Sequence, residues 1–157
     1  MALPAFAEIR QLRVQRALDH LGLRWLPAEP AVCEIVGDEW LLDGIAAWDD
    51  FTAFHVVERV DLRLGPDPTR YQYGLSYGNA SGEHVRREVH LHDHPRGVAG
   101  DECSEPAHRH RYVGYPGRSI RPHLAPCTPA TIEEALEELL RHYLEDYPTV
   151  TPVRLRS

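Results

Sequence analysis

Between Ala53 and His94 the chain alternates apolar and polar residues in three successive runs, and a turn follows each of the first two. In AFHVVERVDLRL, Phe54, Val56, Val60, Leu62 and Leu64 share one side of the period, while His55, Arg59, Asp61 and Arg63 take the other. A period of two marks a half-buried strand, because successive side chains leave opposite faces. GPDP at 65–68 reads as a turn, as does GNASG at 78–82. Between them RYQYGLSY sets Tyr71, Tyr73, Leu75 and Tyr77 against Arg70, Gln72, Gly74 and Ser76. Strands joined by such short turns pair antiparallel, so a meander is dictated.

The third run, EHVRREVHLHDH, puts Val85, Val89 and Leu91 on the expected core face. The other face would carry His84, Arg86, Glu88, His90, His92 and His94 in one row, beside the polar face of RYQYGLSY. A loop rich in Gly, Pro and acids leads to a fourth strand, HRHRYVG, in which His108, His110 and Tyr112 share a face. Upstream, VCEIVGDEWLLDG reads as a hairpin turning at Gly37–Asp38.

Helices bracket these strands. Residues 4–21 form an N-terminal helix through Phe6, Ile9, Leu12, Val14, Leu18 and Leu21, with Gly22 as its stop. In TPATIEEALEELLRHYLEDY the apolar positions 132, 135, 136, 139, 140, 143 and 147 keep helical spacing. That helix is expected over 129–145. It is capped by a Thr131–Glu134 box or by Thr128 ahead of Pro129, with Glu133, Glu134, Glu137 and Glu138 on its solvated side. The fold class is therefore α+β: one domain over 1–157, an antiparallel sheet of about four to six strands within 32–114, and a helix at each end. No apolar run reaches the ~20 residues of a membrane span, and the N-terminus lacks a secretory apolar core. A cytoplasmic protein is expected. Cys33, Cys103 and Cys127 form no C-x-x-C, which argues against a disulfide framework.

Net charge is −7, but it is uneven. All 17 basic residues are arginine, and seven of the ten histidines lie between His84 and His123. That window holds seven arginines against five acids, so it is +2 and the remainder −9. Imidazole exchanges protons near neutral pH and ligates metals, and both uses require several rings in one space. For the first use, RNA cleavage by its own 2′-hydroxyl needs a base, an acid and cations around the phosphate. His92, His94, His108 and His110 are the candidate acid–base groups. Arg86, Arg87, Arg109 and Arg111 are the candidate phosphate ligands. No cofactor is needed. The tyrosines would stack on bases only if exposed, and Tyr71, Tyr73 and Tyr77 read as core. The second use is a metal-dependent hydrolase or metal-binding protein. Here His90, His92, His108 and His110, helped by Cys103 or Glu88, would hold zinc or another divalent transition metal. HLHDHP falls one residue short of the metallo-β-lactamase pattern H-x-H-x-D-H, which is set aside. A third reading is a non-catalytic interaction subunit of a defence complex.

The order of these phrases resembles the TumE family of toxins from bacterial toxin–antitoxin pairs, over residues 54–145. Tyr71 and Tyr73 match its Y-x-Y strand, Arg87 its arginine, and His92 and His94 its paired histidines. His108 and His110 match the outer pair of its second histidine phrase, and IEEALEEL matches its closing helix. Where the family has Asp-Asn after the arginine, this chain has Glu88 and Val89. The resemblance implies a toxin with a cognate antitoxin as partner. The residues themselves lead to the expectation of a His-based, metal-free ribonuclease or a translation inhibitor, with RNA as the candidate substrate.

Overall fold

The computed structural model describes residues 3–49, 52–78, 84–93, 107–113, 123–126 and 131–146, with the strands between 84 and 126 described by their backbone course and pairing. Helix α1 (Leu3–Leu21) ends where Gly22 takes a φ of 69°. The Gly22 N–H donates to the Asp19 carbonyl at 3.1 Å and the Leu23 N–H to the Leu18 carbonyl at 2.8 Å. These two bonds satisfy carbonyls that the last helical turn leaves open, and a left-handed residue is needed to make them. The closing apolar pair, Leu18 and Leu23, is buried.

Among the described residues eight antiparallel strands follow: β1 (Arg24–Trp25), β2 (Val32–Val36), β3 (Glu39–Ala47), β4 (Thr52–Asp61), β5 (Arg70–Gly78), β6 (His84–Asp93), β7 (Ala107–Val113) and β8 (His123–Pro126). The five long strands β3 to β7 form the expected meander, in chain order across the sheet. Short strands extend it on both sides. β1 and β2 share the outer edge of β3, and β8 pairs with β7. Neither β1 nor β8 was expected. A two-residue strand carries no readable period, and HLAP lies in a stretch whose prolines read as loop. β2 and β3 turn through Gly37–Asp38 as expected, with Gly37 at φ 63°.

Helix α2 (Ile132–Asp146) begins on the expected capping box: Glu134 N–H donates to Thr131 Oγ1 at 3.2 Å, and Thr131 N–H donates to Glu134 Oε2 at 2.9 Å. Its apolar stripe, Ile132, Ala135, Leu136, Leu139, Leu140 and Tyr143, is buried together with Ala7, Val14, Ala17 and Leu18 of α1. Both helices cover the same side of the sheet, against Trp40, Leu42, Phe54, Val56, Val60, Tyr71, Tyr73 and Leu75. At its far end α2 is tied to the β3–β4 turn. Tyr143 donates its hydroxyl to Asp49 at 2.9 Å, and its ring meets Trp48 edge-on at 6.1 Å.

The core departs from expectation at three apolar positions. Ile9 and Leu12 are exposed, and Leu64, placed on the core face by its period, is 78% exposed because β4 ends at Asp61. A more consequential departure is polar. The buried stripe of α1 runs through Arg10, and the buried face of β4 runs through Glu58. Arg10 Nε and Nη2 donate to the two Glu58 carboxylate oxygens at 2.6 and 2.5 Å, and the Tyr73 hydroxyl donates to the same carboxylate at 2.6 Å. Burial acts to lower the Arg10 pKa, but the hydrogen bond and charge of Glu58 outweigh it, so the guanidinium stays charged. For the Tyr73 phenol, burial and the Glu58 charge act together to push the pKa well above its ordinary value.

Candidate functional site on the helix-free face

Residues directly opposite in an antiparallel ladder lie on the same face of the sheet. The register therefore sorts every position of β6 and β7 by face. Tyr71, Tyr73 and Leu75 of β5 are buried under the helices. Opposite them on β6 stand Asp93, His90 and Glu88, and Arg86 stands opposite Tyr77. The alternate positions of β5, Gln72, Gly74 and Ser76, lie on the face that neither helix covers. Opposite them stand His92, Val89 and Arg87.

The expected single row of histidines is therefore divided. Arg86, Glu88 and His90 fall on the helix side, while Arg87, Val89 and His92 fall on the helix-free side. Two facts produce this. Val89 aligns with Gly74 and not with a core position, so the face assigned from Val85, Val89 and Leu91 is inverted over this stretch. The ladder is also shifted between Gln72 and Tyr73, where His92 and His90 are the successive partners and Leu91 is the extra residue. A β-bulge of this kind changes the parity of the strand, and bulges recur where a sheet re-aims a residue beside a site.

The same irregularity appears on the β7 side, between Val89 and His92. There His92 stands opposite His108 and Val89 opposite His110. Partners in an antiparallel pair have Cα atoms about 4.5–5.5 Å apart. The two histidine phrases thus meet in adjacent strands, with His92, His108 and His110 at positions of one face. Arg87 belongs to that face too, opposite Tyr112. Arg111, opposite Glu88, belongs to the helix side, as does Arg109 by alternation. Of the four arginines expected to hold phosphate, one shares the histidines' face. The four-histidine metal set likewise divides, since His90 stands level with buried Tyr73. Glu88 is on the wrong face to complete it. His94 and Cys103, and the Thr128 cap, lie outside the described residues.

Tyr71 and Tyr73 are core residues as expected, stacked with centroids 5.0 Å apart. They are closed to a base. Cys33 is a free thiol. A cleft of about 660 Å³ between α1 and the start of α2 is lined by Arg10, Arg13 and Arg16, but also by Asp67, Glu133 and Glu134. Its carboxylates match its guanidiniums in number, so it lacks the excess positive charge that an anion site needs.

Sequence reasoning missed the Arg10–Glu58–Tyr73 network. A signal was present: Glu58 interrupts the apolar series 54, 56, 60, 62 at the middle of β4. A buried charge needs a partner, and the helical stripe of α1 offers Arg10. Among the described residues no helix is long and apolar enough to cross a membrane, and among those whose side chains are described, which leaves out β6 and β7, no group of three or more His, Cys, Asp or Glu stands ready to hold a metal ion. The chain matches no protein-family model, and neither curated proteins nor solved structures yield a significant match to it.

Proposed function

We propose that this protein is a toxin of a bacterial toxin–antitoxin pair, acting in the cytoplasm, and that it cleaves RNA by metal-free acid–base chemistry on the helix-free face of its sheet. The observation that supports this reading is the pairing of His92 with His108 across β6 and β7, with His110 two residues along on the same face. One imidazole takes the proton of the 2′-hydroxyl as the 2′-oxygen attacks phosphorus. A second gives a proton to the departing 5′-oxygen as the P–O5′ bond breaks. The products are a 2′,3′-cyclic phosphate and a 5′-hydroxyl, with no net change in protons. Arg87, two rows along the same face from His92, supplies positive charge for the RNA backbone flanking the cut. The resemblance to TumE toxins adds a cognate antitoxin as the partner.

The test is growth after induction of the gene alone, beside the His108→Ala/His110→Ala variant. Arrest by the wild type, and relief by a variant with an unchanged far-UV spectrum, is expected. Normal growth in both overturns the toxin reading.

One observation favours a second reading. Three histidine positions on one face are the ligand number of many catalytic zinc sites. A hydrolase using His92, His108 and His110 around a divalent metal would lose its activity to chelator, which the first reading does not allow.

A further inference from the structure

On the helix-free face, one register row from Gln72 and His92, two arginines stand directly opposite each other. Arg59 of β4 pairs with Arg70 of β5. Both are exposed. Like charges in this position repel and destabilise the ladder. Among the described residues no ion pair compensates them. The ion pairs of the described residues join Arg10 to Glu58, Arg13 to Asp67, and Arg63 to Asp38 and Asp61. Neither Arg59 nor Arg70 has an ion-pair or hydrogen-bond partner of its side chain among the described residues. Three acids are near. Asp61, two residues from Arg59, is taken by Arg63 at 2.6 Å. Asp43, opposite Val57, and Glu39, opposite Asp61, are the two diagonal neighbours of Arg59 on β3; neither forms an ion pair with it, and the charge of Glu39 acts on Arg63.

A repulsive, unpaired guanidinium pair is what an anion site looks like before its anion arrives, because a phosphate oxygen between the two forks relieves the repulsion. Two residues along a strand span about 6.8 Å and adjacent strands lie about 4.8 Å apart, which puts Arg70 about 8 Å from the His92 position. That separation, between backbone positions, places the guanidinium pair within reach of the phosphates of a strand lying over the histidines. We infer that Arg59 and Arg70 bind the backbone of single-stranded RNA beside the histidine pair. This rests on the RNA-cleaving reading and adds to it a track running across β4 and β5 toward β6 and β7.

The probe is a short fluorescein-labelled single-stranded RNA carrying 2′-O-methyl groups, which binds but cannot be cut. Its affinity for the full chain is measured by anisotropy against salt. In Arg59→Gln/Arg70→Gln, binding should weaken about tenfold or more. The slope of log K against log salt should fall by about 1.4, at about 0.7 per phosphate contact for single strands. Arg70→Glu, which pairs with Arg59 across the ladder, should abolish binding while raising the unfolding temperature, an outcome that a merely structural role for Arg70 would not produce. Unchanged affinity and slope in the double glutamine variant overturn the inference, as does failure of the wild type to bind this RNA. Arginine-dependent binding without cleavage of unmodified RNA upholds the track and sinks the nuclease reading. Cleavage with arginine-independent binding does the reverse.

Discussion

Replacing Arg10 by methionine should cost this fold about 3–5 kcal/mol, the range for breaking a buried ion pair by removing one partner. The magnitude follows from the geometry. The Arg10 and Glu58 side chains are 6% and 0% exposed, so neither can turn to water. The substitution removes two charged N–H donors at 2.6 and 2.5 Å and leaves the carboxylate with the Tyr73 hydroxyl at 2.6 Å. Hydrogen bonds to charged groups contribute about 1.5–3 kcal/mol each, which brackets the same total. Glu58→Leu should cost a similar amount by stranding the guanidinium. The double variant Arg10→Met/Glu58→Leu removes both charges and leaves only the Tyr73 hydroxyl without its acceptor, at about 1–3 kcal/mol. The two effects must therefore be strongly non-additive, with a coupling above about 2 kcal/mol. Urea unfolding followed by tryptophan fluorescence measures all four proteins. Single losses below about 1 kcal/mol that simply add in the double variant would refute the argument, because they would mean that water reaches the pair. The same network sets an alkaline limit. The folded pKa of Tyr73 lies above its unfolded value, so its contribution is complete below about pH 10 and is lost as pH rises beyond it. Tyr73→Phe should flatten that decline.

Other consequences are more local. A Cβ on Gly44 would sit 2.7 Å from the Trp25 ring and 2.8 Å from Pro30, so Gly44→Ala should cost about 1–3 kcal/mol by overpacking and shift the tryptophan emission. Thr131→Ala removes half of the α2 capping box and should cost about 1 kcal/mol in the same urea titration. The side-chain and backbone hydrogen bonds from Arg63 hold the Asp61 carboxyl at about 2. The stability it lends is present above the unfolded Asp range and is lost as pH falls toward 2. An NMR titration of Asp61 in Arg63→Gln should move it back toward about 3.9.

How far the sequence reveals this fold depends on the kind of signal. Period-two runs with turn residues between them made β2 to β7 legible, because alternation and Gly-Asp or Gly-Pro chemistry are local. Helix α2 was legible for the same reason, down to its Thr131–Glu134 cap. Helix α1 was legible in extent but not in orientation. Its apolar residues scatter enough that Ile9 and Leu12 read as inward, whereas both are exposed and the buried stripe runs through Arg10, which Glu58 holds. Neither residue carries that information alone. The histidine face was misread because parity is local but register is not. A one-residue bulge near Leu91, invisible in composition, moves His90 and His92 to opposite faces. The pairing of His92 with His108 depends on the length and course of the β6–β7 connection, which no short-range pattern fixes.

The central claim is that histidines of the helix-free face, and not the histidine content at large, perform chemistry on RNA. The most direct measurement is cleavage of a single-stranded RNA by the purified protein in chelator, comparing His92→Ala, His108→Ala and His90→Ala. The account predicts 2′,3′-cyclic phosphate ends from the wild type and a loss of about 100-fold or more in His92→Ala and in His108→Ala, the usual contribution of a general acid or base. His90→Ala, level with buried Tyr73, should retain its rate within a few-fold. No cleavage by the wild type, or an equal loss from all three substitutions, would contradict it.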